Sequence, residues 1–147
     1  MTMTISIIMP CYTAAAHLPI SVGSVQAQTH TDLELVIVDD GSTDDSWQTL
    51  QKLAQTDSRI RVFQQANAGA AAARNDALQK ARGAYTAFVD SDDTWHPGFL
   101  EAMVSAPTIH PKSASFYSRH GMSGRRGTTS SPTRNGVEPG WWSSARN

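Results

Sequence analysis

The chain has 147 residues, 39% apolar and 17% charged, with a formal net charge of −1, which suits one soluble folding unit with its own core and argues against nonspecific nucleic-acid binding, which needs a basic surface; the locally basic tail with Arg119, Arg125, Arg126, Arg134 and Arg146 is read as solvated. Cys11 is the single cysteine, so an intramolecular disulfide and multi-cysteine zinc sites are ruled out. No apolar run approaches the roughly 20 residues of a membrane helix and no signal peptide opens the chain, so the expected location is the cytoplasm, free or peripheral to the inner face of a membrane.

Ile5 to Met9 is a nearly continuous β-prone run closed by Pro10, as in a strand buried on both faces. Leu18, Val22 and Val25 then recur at helical spacing, giving a helix over 18–28 with Pro19 in its first turn. Leu33 to Val38 is the second strand, stopped by the turn residues Asp39-Asp40-Gly41. Ser42 followed by Asp45 resembles a capping box for a helix whose stripe is Trp47, Leu50, Leu53 and Ala54 and which ends near Thr56. Ile60 to Phe63 is a brief strand, and Gly69 opens an alanine-rich helix over 70–80. Tyr85 to Val89 is the fourth strand, followed by Asp90-Ser91-Asp92-Asp93 and a helix over 97–105 with Phe99, Leu100 and Met103 inward. From about 107 the composition turns to Ser, Thr, Pro, Gly and Arg. The expected organisation is therefore a folded domain over 1–106 and an irregular or disordered tail over 107–147.

Alternating strands and helices imply an α/β fold with a mostly parallel sheet and right-handed crossovers. Ligands of such sheets bind outside the carboxyl ends of the strands. Acidic clusters stand at two of those ends, and like charges brought together call for a cationic partner. If the strand continues into Asp90 and Asp92, their i, i+2 spacing aims both carboxylates to one side. Mg²⁺ or Mn²⁺ suits such a pair, because hard cations are held by one or two carboxylates together with substrate phosphates.

Ile7-Ile8-Met9-Pro10-Cys11-Tyr12, Asp39-Asp40-Gly41-Ser42-Thr43-Asp44, Asn67-Ala68-Gly69, Ala73-Arg74-Asn75 and Asp90-Ser91-Asp92-Asp93 together resemble the signatures of family 2 glycosyltransferases of the GT-A fold. Their order and strand-end placement make the match specific over residues 4 to about 104. The resemblance implies a Rossmann-like GT-A half domain with an incomplete acceptor half. It also implies roles. Pro10 and Tyr12 match the loop beside the nucleotide base, Asp39 the acid that hydrogen-bonds the base edge, and Asp40 a residue that positions that acid. Arg74 matches the arginine near the nucleotide, Asp90 the ribose contact and cation neighbour, and Asp92, of the DxD motif, the metal ligand, with Asp93 beside it.

The reaction so implied is inverting displacement of a nucleoside diphosphate, UDP being the commonest, from its sugar by the hydroxyl of a glycan, lipid or other acceptor. A base for that hydroxyl has no candidate: Glu138 is the sole carboxylate side chain after Glu101, and its Gly-Pro-rich neighbourhood gives no reason to place it in the crevice. The expectation is a truncated member with reduced or no transfer activity. Two alternatives stand beside it, a non-enzymatic nucleotide-binding remnant and a haloacid-dehalogenase-like phosphatase using Asp90 in Asp-Ser-Asp-Asp-Thr. The phosphatase motif normally follows a first strand, whereas here three strands precede it.

Overall fold

The computed structural model describes residues 4–109. The chain divides into a compact unit ending at Glu101 and a second unit beginning at Ala102. In chain order the elements are β1 (Ile5–Cys11), α1 (Leu18–Gln26), β2 (Leu33–Asp39), α2 (Ser46–Thr56), β3 (Ile60–Gln64), α3 (Ala70–Lys80), β4 (Tyr85–Phe88) and α4 (Phe99–Ile109). The expected tail beyond Ile109 lies outside the described residues, while residues 107–109 end α4.

The strands form one sheet in the order β3-β2-β1-β4, and every pairing is parallel. The chain steps outward from β1 to β2 to β3, then crosses to the far side of β1. That reversal makes the carboxyl end of the β1–β4 seam the topological switch point, where α/β sheets take their ligands.

β1 and β2 are buried throughout, which explains their unbroken apolar runs. On one face Ile8, Val36 and Val38 pack against Ala73 and Ala77 of α3, with Phe63 and Ala81 alongside. Burial of each larger side chain contributes roughly 2 kcal/mol, so α3 owes its place to packing as well as to alanine propensity. Leu18, Val22, Val25 and Leu50 are fully buried from α1 and α2, as their helical stripes predict.

Several boundaries differ from expectation by a few residues, and those of β1 and α1 have physical reasons. β1 runs past Pro10 to Cys11, with Pro10 opposite Val38. Ile8 directs its carbonyl to Val89 on the β4 side, and the Cys11 carbonyl accepts from Asp40 on the β2 side. Pro10 thus turns its missing N–H toward β4, which has already ended opposite Ile8, and no ladder bond is lost. α1 stops at Gln26, and Gln28, 3% exposed, ties the chain together. Its amide donates to the carbonyls of Ser24 and His96 and accepts from the Leu100 N–H, anchoring the segment that follows the acidic turn.

At the amino ends of the strands Glu34 is buried yet satisfied. It accepts the Ser6 hydroxyl at 2.6 Å, the Arg61 guanidinium at 2.8 Å and the Arg82 N–H at 2.6 Å. No sequence pattern announced this cluster.

Candidate functional site: a cleft at the switch point

A cleft of about 390 Å³ opens beyond the carboxyl ends of β1 and β4, and its lining includes Pro10, Tyr12, Asp40, Arg74, Asp90 and Asp92. All but one of the binding residues expected from the sequence therefore meet in one place. Asp39 is the exception: it is fully buried and does not line the cleft.

The two acids that end β2 are both committed to protein groups. Asp39 accepts the Ser42 hydroxyl and, at 2.9 Å, the Gln64 side-chain amide. Asp40 accepts the N–H groups of Ala68 and Gly69 at 2.8 Å each and the Gln65 amide at 2.7 Å. Burial pushes the Asp40 carboxyl up, but the Ala68 N–H, the Gln65 amide and the Gly69 N–H outweigh it and hold it below the usual carboxylate range. Asp40 thereby clamps the loop that launches α3. Gly41 makes this possible, since at φ 70° a Cβ there would stand 3.0 Å from the Asn67 nitrogen.

Ser42 does not cap α2 as the Ser42–Asp45 spacing suggested. α2 begins at Ser46, after Asp45, which makes no side-chain cap bond. The Ser42 hydroxyl donates to Asp39 and accepts the Thr13 N–H at 2.8 Å. Ser46 accepts the Ala14 N–H at 2.8 Å, and Asp44 accepts the Ala15 N–H at 3.1 Å. Three consecutive backbone donors of the loop after β1 are thus gripped by Ser42, Ser46 and Asp44, side chains of the loop after β2 and of the start of α2. This clasp holds Thr13 at φ 48°, a left-handed conformation unfavourable for a β-branched residue, on the rim of the cleft.

Arg74 reaches from α3 across the cleft to Asp90, Nη2 to Oδ1 2.5 Å, with side chains 36% and 51% exposed. β4 ends at Phe88, so the strand does not continue into the acidic segment. Asp90 to Asp93 instead form a turn in which the Asp93 N–H donates to the Asp90 carbonyl at 3.0 Å. The turn still leaves both Asp90 and Asp92 on the cleft, although the premise of an extended i, i+2 pair fails.

Among the described residues no three His, Cys, Asp or Glu side chains are grouped to hold a metal ion. Two exposed carboxylates fit a hard cation only when another ligand, such as a phosphate, completes the shell.

Thr13, Ala14, His17 and Ala70 also line the cleft and were not singled out from the sequence. Their signal was positional: Thr13, Ala14 and His17 lie in the segment joining β1 to α1, and Ala70 opens α3. Cys11 lines it too, but burial first and the neighbouring Asp39 second push its thiol up to about 11, so it is an unreactive packing group.

Among the described residues no helix is long and apolar enough to cross a membrane.

Comparison with known proteins agrees with the fold. TuaG, a glycosyltransferase of Bacillus subtilis (strain 168), is 46% identical over 98 residues, 66% of this chain and 39% of its own length. The uncharacterized glycosyltransferase YibD of Escherichia coli (strain K12) is 39% identical over 104 residues, 71% of this chain and 30% of its own. This chain spans about a third of the length of these relatives. Among solved structures, S. aureus TarS 1-349 in complex with UDP-GlcNAc superposes with a TM-score of 0.69 at 29% identity, covering 82% of this chain and 37% of that one. The mannosyltransferase PcManGT from Pyrobaculum calidifontis, in complex with GDP-Man and Mn²⁺, gives 0.66 at 26% identity, covering 70% and 32%. The model of glycosyl transferase family 2 matches residues 6–146, and the chain, with the parallel sheet of a GT-A half domain, belongs to that family.

Proposed function

We propose that the cleft binds a nucleoside-diphosphate sugar, a UDP-sugar foremost, together with Mg²⁺ or Mn²⁺, and that this binding serves inverting transfer of the sugar to an acceptor hydroxyl. The observation that carries the reading is the convergence of Pro10, Tyr12, Arg74, Asp90 and Asp92 on one cleft at the switch point. Complexes of similar structures with UDP-GlcNAc, and with GDP-Man and Mn²⁺, support it.

In this reading Pro10 and Tyr12, the latter 53% exposed, offer apolar surface to the base. Asp39, buried outside the cleft lining with its carboxylate bonded to Ser42 and Gln64, holds the loop after β2 rather than meeting the base edge, and Asp40 holds the loop before α3 beside it. The Arg74 guanidinium supplies forked donors for phosphate oxygens. Asp90 meets the ribose and, with Asp92, holds the cation. The cation's chemistry is to neutralise charge building on the departing diphosphate.

Of the carboxylates lining the cleft, Asp40 is spent on the loop before α3 and Asp90 and Asp92 belong to donor binding, so we assign the acceptor's base to none of the described residues. We expect the 147-residue chain to bind donor while transferring sugar slowly or not at all. The folded unit through about 106 is the part that binds, and residues 107–147 are not required for it. Neither the cytoplasmic location nor peripheral membrane association enters this binding chemistry.

Calorimetric titration of the chain with UDP and UDP-GlcNAc, with and without Mn²⁺, tests the reading. Metal-dependent binding is expected, weakened on the order of tenfold by Asp92→Ala. Absence of nucleotide binding under both conditions would overturn it. The phosphatase alternative gains nothing from the structure, since Asp90 follows an edge strand and is paired with Arg74.

A further inference from the structure

We propose that the Arg74–Asp90 ion pair is a latch that disfavours a bare divalent cation in the cleft and opens when a diphosphate arrives. The inference rests on the nucleotide-sugar reading and adds an order of events to it. The Arg74 guanidinium lies 2.5 Å from Asp90, on the very carboxylate that Asp92 would need as its partner in holding a cation. The remaining lining carboxylate, Asp40, is spent on the Ala68 and Gly69 N–H groups and the Gln65 amide. A bare cation therefore meets Asp92 with its neighbour already neutralised by a fixed positive charge.

A diphosphate changes both sides of that balance. It brings more negative charge and more acceptor oxygens to a forked guanidinium than one exposed carboxylate does, so Arg74 transfers to them and Asp90 is released toward the cation or the ribose. An exposed pair of this kind is weak, so the exchange is easy. Its two partners stand on separate elements, α3 and the turn after β4, so the arginine can leave without moving the acid. Cation and diphosphate binding then favour one another, and by linkage each strengthens the other by the same factor.

The test compares Mn²⁺ alone with Mn²⁺ plus UDP, using calorimetry and the electron paramagnetic resonance signal of free Mn²⁺. For Arg74→Ala, Mn²⁺ alone is expected to bind about three- to tenfold tighter than to the unmodified chain, while UDP with Mn²⁺ binds more weakly. Arg74→Lys, which retains the charge, is expected to keep most of the suppression. The gain in Arg74→Ala should disappear in the Arg74→Ala, Asp92→Asn double variant, locating the cation. Alanine is the best helix former and position 74 is partly exposed, so the fold should survive, and circular dichroism checks this. If Arg74→Ala binds Mn²⁺ alone no tighter while the unmodified chain binds UDP in a Mn²⁺-dependent way, the latch is wrong and the nucleotide-sugar reading stands. If the unmodified chain shows no Mn²⁺-dependent UDP binding, the reading fails and the latch fails with it.

Discussion

The carboxylate of Asp40 accepts the backbone N–H of Gly69 at 2.8 Å, so the acid just after β2 holds the residues immediately before the helix that carries Arg74. Asp40→Asn keeps the size but presents a donor where an acceptor is needed. We predict a loss of about 1–3 kcal/mol in unfolding free energy, read from urea denaturation, together with weaker UDP binding. Unchanged stability would show that the clamp contributes nothing.

Thr13 carries strain that the clasp tolerates. Asn enters the left-handed region more readily than a β-branched residue, so Thr13→Asn should stabilise the chain by about 0.5–1 kcal/mol. The Thr13 N–H bond to Ser42 is retained in the variant, and the lost hydroxyl contact to Thr43 is long, at 3.4 Å. Thermal denaturation decides, and a lower midpoint would contradict the strain argument.

Ser42→Ala removes the relay between Asp39 and Thr13. Asp39 and the Thr13 N–H both lose a partner, at a predicted cost of about 1–3 kcal/mol. Because the relay fixes Thr13 on the rim of the cleft, UDP affinity should also fall, measured by calorimetric titration, and unchanged stability would show that the relay contributes nothing.

Cys11 should resist alkylation. With its thiol pushed up to about 11 by burial and by Asp39, little thiolate exists at pH 8. Iodoacetamide labelling of the folded chain at pH 8 is predicted to be at least about tenfold slower than in urea, where an ordinary cysteine titrates near 8.5. Equal rates would mean the residue is accessible and ionised.

Acid should destabilise the chain through a defined set of carboxyls. Arg59 holds Asp57 low against its burial, and the Ser46 hydroxyl does the same for Asp44. For Asp40 and Glu34, burial raises the carboxyl but is outweighed by hydrogen bonds, from Ala68, Gln65 and Gly69 in one case and Ser6, Arg61 and Arg82 in the other. Each folded-state pKa lies below its unfolded value, so the unfolded chain binds protons first as pH falls. The contribution is complete above the ordinary carboxylate range near about 4 and drains away below it. Denaturation midpoints should be level between pH 5 and 7 and fall steeply between pH 4 and 2.

The fold was legible because parallel strands buried on both faces write themselves as unbroken apolar runs. Ile5 to Met9 and Leu33 to Val38 announced β1 and β2, and the intervals of Leu18, Val22 and Val25 announced α1. Strand ends fixed the address of the cleft, and the motifs there named Pro10, Tyr12, Arg74, Asp90 and Asp92. Glu34 was silent, since its partners Ser6, Arg61 and Arg82 come from other segments and leave no local period.

Local pattern therefore determined the elements, their alternation and the chemistry available at each strand end, because those properties depend on neighbours a few positions apart. Only the tertiary structure decided how the acids are used: Asp39 and Asp40 are consumed by Ser42, Gln64 and the loop before α3, while Asp90 faces Arg74. A carboxylate's role is set by which donors reach it through space, and those donors lie as many as 29 positions away along the chain.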